Sequence, residues 1–211
     1  MGLRSFYKPI PSQTPEGKER LRAYYEALGR FVDAFSRTEH AAHSVLRFYA
    51  KMSIKGAQVL LSGVRVDETK NRLSRLHDAG MIEDADWKDI EPILQQLNTI
   101  NGRRNDILHH GAEGIAEGHG VVTTARMAIT EDRITDFHIS PEILADMTED
   151  LRKIRLHFHT RHMGRPPLLG IHPELSRTLH APWRYTQQPK PRGATRPSKQ
   201  ARKSRPPTSP K

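Results

Sequence analysis

Ile100-Asn101-Gly102-Arg103-Arg104-Asn105-Asp106-Ile107-Leu108-His109-His110-Gly111 is the stretch on which the reading of this chain turns. It has the pattern of the last turns of an amphipathic helix. Ile93, Leu94, Leu97, Ile100, Ile107 and Leu108 recur at three- and four-residue intervals, which lays them along one apolar stripe. Gly111 follows directly, and glycine takes the left-handed conformation that ends a helix at least steric cost. Arg104 lies seven residues after Leu97 and four before Leu108, so its side chain is expected on the stripe itself. A guanidinium cannot shed its charge, so a buried one needs an acidic partner or an anionic ligand.

Upstream, Thr14-Pro15-Glu16 is a helix start with a capping hydroxyl, a proline at the first helical position and an acid next. From there Tyr25, Leu28, Phe31/Val32, Phe35, Ala42, Val45/Leu46, Tyr49 and Met52 mark one long apolar stripe whose phase carries past Gly29. Glu39 interrupts it, four residues after Phe35 and three before Ala42. One long helix is thus expected to bury an acid and another a base, and the economical expectation is that Glu39 faces Arg104. An architectural ion pair is the plain alternative to a functional one.

Residues 53–66 read as a connector, with room for a short turn around Gln58–Leu61. A short helix is expected over 67–79, with Asp67 as cap, Leu73 and Leu76 inward and Gly80 as stop. Either Asp84 or Asp89 starts the central helix: Asp89 would leave Pro92 in the first turn, Asp84 would place it inside. After Gly111 come Gly114, Gly118 and Gly120, then β-formers at Val121–Thr124, Arg126–Ile129 and Ile134–Ile139 across the turn-like 130–133. A small hairpin over about 121–139 follows. Ser140-Pro141-Glu142 opens a last helix with Ile143/Leu144, Met147, Leu151, Ile154 and Phe158 inward, running out near Met163.

The net charge of +10 is unevenly placed. From Gly164 onward the chain carries 11 Lys/Arg against one acid, Glu174, while the preceding 163 residues hold 23 of each sign. Ten of the 15 prolines fall in the same tail. The organisation expected is an irregular arm over 1–13, a helical domain over 14–163 and a disordered Pro-rich basic tail over 164–211, in which Trp183 and Tyr185 are the aromatics available for docking. Any attraction to nucleic-acid phosphates read from the overall pI belongs to the tail. The absence of cysteine excludes disulfides, thiolate metal sites and cysteine nucleophiles. No apolar run approaches the ~20 residues of a membrane span, and no signal-peptide core opens the chain. A cytoplasmic protein without membrane partners is the expectation.

At the end of the central helix Arg104 offers a fork of donors suited to phosphate, and His109 a group that exchanges protons near neutral pH. Asn105, four residues before His109, is placed to orient the imidazole. Arg104 and His109 differ by about 140° of helical rotation, so two copies related by a two-fold axis close a cleft better than one. The Arg104-Asn105-Asp106-Ile107-Leu108-His109 run resembles the Arg-Asn-x-x-x-His signature of the HEPN superfamily, and a trailing glycine such as Gly111 also recurs there. The resemblance extends over roughly Thr14 to Met163, with only the six-residue motif specific.

It implies a HEPN-like antiparallel helical bundle acting as a homodimeric, metal-independent endoribonuclease, often a toxin or defence effector. RNA would be cleaved by its own 2′-oxygen to a 2′,3′-cyclic phosphate. His109 would then handle the proton and Arg104 stabilise the charge developing on phosphorus; Asn105 would position His109 and Glu39 would hold Arg104. His110 beside His109 leaves a shared role open, as is a cognate antitoxin partner. The competing class is a non-catalytic HEPN-like module that binds RNA, nucleotides or a protein. Neither a cofactor nor a metal is expected: His157, His159 and His162 cluster, but no acid or cysteine completes a set. His40 and His43, near Glu39, read as packing or supporting residues.

Overall fold

The computed structural model describes residues 14–124, 136–163 and 173–186. Helix α1 (Pro15–Tyr49) starts where Thr14-Pro15 announced it, with Thr14 Oγ1 accepting from Gly17 N at 3.1 Å. Then come α2 (Ile54–Leu60), α3 (Val66–Asp78), α4 (Asp84–His110), strands β1 (Val121–Thr123) and β2 (Asp136–His138), α5 (Pro141–Arg161) and α6 (Pro173–His180). The protein is mostly α-helical with one small antiparallel hairpin, in which Val122 pairs with Phe137. The proposed arm over 1–13, the Arg126–Ile129 segment with its turn, and the sequence beyond 186 lie outside the described residues.

Helices α1 and α5 lie side by side and run the same way, since Thr38 meets Leu151 and Tyr49 meets His162. Helix α4 runs back against both: Asp89 meets Arg161 and His162, Gln96 meets Asp150, and Arg104 lies over Phe35. Between them sit Phe31, Val45, Ile90, Leu94, Leu97, Ile100, Leu144, Met147, Leu151, Ile154 and Phe158, all essentially without solvent contact. Each such side chain contributes about 1.5–3 kcal/mol by leaving water. Gly111 closes α4 at φ +71° as expected, and Ser140 Oγ caps α5 through Ile143 N. Gly120 is required for a different reason: a Cβ there would stand 2.4 Å from Ile139 O, where the hairpin closes on itself.

Several expectations are corrected. Tyr24 is the buried member of the tyrosine pair, whereas Tyr25 is 63% exposed. The stripe turns inward one residue earlier, because Phe31, Ala34 and Phe35 set its centre. The connector over 53–66 contains a true helix, α2, capped by Ser53 Oγ. Arg65, not Asp67, is the cap residue of α3; Asp67 and Glu68 occupy its first turn, where carboxylates suit the helix dipole. Helix α4 starts at Asp84 and carries Pro92 inside. The hydrogen bond forfeited there is outweighed by the burial of Ile90, Ile93, Leu94 and Leu97 around it. Within the tail read as disordered, residues 173–180 form α6 and 181–186 strap back onto the bundle.

A polar chain locks one end of the bundle. Burial first, and then the carboxylates of Asp86, Asp89 and Glu83, push the Tyr49 hydroxyl well above its ordinary 10.0, so it keeps its proton. It donates to His162 Nδ1 at 3.0 Å, and His162 Nε2–H donates to Asp89 Oδ2 at 2.8 Å. Arg161 adds a bond to Asp89 Oδ1 at 3.0 Å. The Asp89 carboxyl is held below its ordinary 3.8, chiefly by the His162 hydrogen bond and further by Arg161, against the opposing effect of burial. A carboxyl with a depressed folded pKa contributes stability that is complete above 3.8 and lost as pH falls through the lower folded value. Asp89→Asn is therefore expected to lower unfolding free energy by about 1.5 kcal/mol at neutral pH. In urea titrations across pH, that gap should close below 3.8; a gap independent of pH would contradict the assignment.

Candidate functional site at the end of helix α4

The last three turns of α4 present two neighbouring arginines to two different environments. Arg103, with a side chain only 12% exposed, faces the hairpin and the strap. Its Nε donates to Tyr185 Oη at 3.0 Å, its guanidinium lies 4.4 Å from the centre of the Phe137 ring, and Asp106 Oδ2 is 3.5 Å from Nη1. Arg104, about 100° further round the helix, is half-buried on the α1 side. Its Nη1 donates to Asn105 Oδ1 at 3.0 Å, and its Cζ lies 5.2 Å from the Phe35 ring centre.

The expected Glu39–Arg104 ion pair is not formed. Glu39 is half-buried on α1, one turn beyond Phe35, and among the described residues no carboxylate comes within ion-pair reach of Arg104. The stacking surface of Phe35 and the Asn105 carbonyl occupy the place that Glu39 was expected to fill. The base most deeply enclosed at this end is therefore Arg103, and Arg104 is the one left with unused donors toward described carboxylates. Asn105 engages Arg104 rather than His109, so the expected orienting contact to the imidazole is absent among the described hydrogen bonds. His109 is exposed in the final turn, and His110 beside it is half-buried.

The residues that shape this end were partly missed from sequence. Asp150 is 1% exposed, and its carboxylate accepts from Gln96 Nε2, Arg184 N and Tyr185 N, each at 2.9 Å. Gln96 Nε2 also reaches Tyr185 O at 2.9 Å. The strap is thereby pinned so that Tyr185 meets Arg103, while Trp183 covers the Lys153 ammonium at 4.3 Å. Lys153 Nζ also donates to Ala181 O, and burial lowers its pKa from the ordinary lysine value. Asp150 stands three residues after Met147 and four before Ile154, on the apolar stripe of α5. A charged residue on an apolar stripe is the same signal that marks Arg104.

The histidine cluster is dispersed by its hydrogen bonds. His157 Nε2–H donates to Leu179 O at 3.1 Å, and burial lowers the pKa of this imidazole below 6.5. His162 is committed to Tyr49 and Asp89. Among the described residues no three potential metal ligands converge, and no helix is long and apolar enough to cross a membrane. No family model, curated protein or solved structure matches the chain.

Asp150→Asn is expected to weaken the strap's anchoring by about 1.5–3 kcal/mol, because an ionised acceptor of three hydrogen bonds becomes a neutral one. Trypsin should then cut faster at Arg177 and Arg184 under native conditions, and Tyr185→Phe should produce a smaller change in the same direction. Unchanged cleavage at both sites would show that the carboxylate does not hold the strap.

Proposed function

We propose that the end of α4 is an RNA-cleaving site of the HEPN type, and that the protein is a metal-independent endoribonuclease. The observation that carries the reading is the state of Arg104. It is braced by Asn105 and Phe35, yet no described carboxylate neutralises it. A guanidinium held in that way is preorganised for a phosphate and pays little reorganisation on binding one. His109 sits exposed five residues later, in the last turn of the same helix.

In this mechanism the ribose 2′-oxygen attacks the adjacent phosphorus, its proton passing to a base. The bond from phosphorus to the 5′-oxygen breaks, that oxygen is protonated, and a 2′,3′-cyclic phosphate remains. His109 handles the proton and Arg104 stabilises the charge on the phosphoryl oxygens. The two residues differ by about 140° and roughly 7.5 Å along one helix. A homodimer with facing α4 ends brings the Arg104 of one copy toward the His109 of the other. Leu108 and Val32, 45% and 37% exposed, supply apolar surface on the participating helices.

A second reading, a module that binds RNA without cutting it, is favoured by one contact: Asn105 Oδ1 is taken by Arg104 and does not orient His109. Toxin activity and an antitoxin partner would follow from the nuclease reading and are part of the same proposal. The test incubates wild type, Arg104→Ala and His109→Ala with end-labelled RNA in EDTA and identifies the new ends. Wild type should leave 2′,3′-cyclic phosphate ends. His109→Ala should lose about 10²–10⁴-fold in rate, and Arg104→Ala about 10²–10³-fold. RNA retained but uncut by wild type selects the binding module, and equal cleavage by all three proteins removes both residues from the mechanism.

A further inference from the structure

Where α1 and α5 run side by side, four arginines surround one small cavity. Arg30 and Arg37 stand seven residues apart on α1, two turns along the same face, with Asp33 between them. Arg152 and Arg155 stand three apart on α5 and so share a face as well. Buried Ala34 and Thr38 complete the lining, and Thr38 Oγ1 reaches Leu151 O at 3.0 Å across the seam. The space measures about 190 Å³, and against four permanent positive charges its lining holds one carboxylate, Asp33.

Three of the four guanidinium groups have a carboxylate on their own helix. Arg30 reaches Glu26 at 2.5 Å, Arg37 reaches Asp33 at 2.9 Å, and Arg152 pairs with Glu149. In each pair the arginine side chain is more than half exposed, and ion pairs of that kind hold their partners weakly. Arg155 is half-buried and has no carboxylate partner among the described residues. Glu26 and Glu149 do not line this cavity; with Glu142 they line the next one along the groove, toward the start of α5. Bases and acids are thus sorted into adjoining parts of one groove. Guanidinium groups cannot relieve their mutual repulsion by losing a proton, so a cavity that gathers four of them favours an anion.

We infer that the α1–α5 cavity binds a multiply charged phosphate group. Guanidinium forks match phosphate oxygens in geometry as well as in charge, and here they come from two packed helices rather than from loops. Sites for whole organic ligands occupy about 300–1,000 Å³ and are walled mainly by apolar side chains. This cavity is smaller, and Ala34 is its one apolar residue, so the phosphate itself is recognised and not a base or sugar attached to it. A free anion such as pyrophosphate and the backbone of an RNA chain both present that chemistry. The inference is independent of the ribonuclease reading, because neither Arg104 nor His109 lines the cavity.

The test measures binding of the full chain to sodium pyrophosphate by calorimetry and to a labelled RNA of about 20 nucleotides by anisotropy, both in EDTA and about 0.15 M salt. Arg37→Gln/Arg155→Gln removes two charges from the cavity. Arg22→Gln/Arg72→Gln removes the same number from exposed pairs outside it and serves as the control. The cavity variant should bind at least about tenfold more weakly than wild type and the control within about twofold. Asp33→Asn takes away the one lining carboxylate and should tighten binding about two- to fivefold, a gain that a folding defect does not produce. Circular dichroism of each variant establishes that the bundle is folded. A loss confined to pyrophosphate identifies a free anion as the ligand, and a loss that includes RNA identifies its backbone. If neither ligand separates the cavity variant from the control, or if Asp33→Asn weakens binding, the proposal is overturned.

Discussion

The seam between α1 and α5 is the constraint on which the rest of this fold depends. Two helices far apart in sequence lie in the same direction, and each is apolar along one side only. Phe31, Phe35 and Val45 of one and Leu144, Leu151 and Phe158 of the other belong to one core, across which α4 runs in the opposite direction. Thr38 marks how closely the backbones approach. Its hydroxyl lies 2.8 Å from Ala34 O in its own helix and 3.0 Å from Leu151 O in the neighbour. A polar group can sit at the centre of such a seam because its one proton always has a carbonyl acceptor there, in its own helix or in the neighbour.

Once that seam is formed, the buried carboxylate of Asp150 governs what happens at the far end of α4. A charge with 1% exposure is tolerable only if hydrogen bonds surround it, and the nearest available donors are on the strap that follows α6. Satisfying Asp150 draws Tyr185 inward, and Tyr185 with Phe137 then encloses Arg103. Arg104 faces away from that arrangement, on the Phe35 side. The division of labour between the two arginines, one structural and one presented, thus traces back to a carboxylate some 45 positions later in the chain. The proposed chemistry at Arg104 and His109 draws on that division, since among the described residues no carboxylate pairs with Arg104 and its donors are left for a phosphate.

Much of this architecture was legible from residues alone. Thr14-Pro15 and Ser140-Pro141 announced two helix starts through capping hydroxyls and prolines, which act locally and so can be read locally. Gly111 marked the end of α4 for the same kind of reason, a backbone angle that side-chain-bearing residues rarely adopt. The hairpin, the neutral body and the helical content also followed from periodicity and charge counting. What the chain determined by itself, then, was where α1 and α5 begin, where α4 ends and that the body is helical.

Tertiary structure decided which neighbour each of those residues meets. Periodicity assigns a stripe to within one position, so it preferred Tyr25 to Tyr24 and Arg104 to Arg103 as the enclosed residues; packing reversed both. It paired Glu39 with Arg104 because both interrupted a stripe, whereas an aromatic ring and an adjacent amide took that role. It left α2 as a connector because seven residues carry too little pattern, and read 173–186 as disordered because proline and charge dominate there. Apart from the Asn105 amide beside Arg104, the deciding term is a contact between segments distant in sequence, where burial and the need to satisfy a buried polar group outweigh local preference.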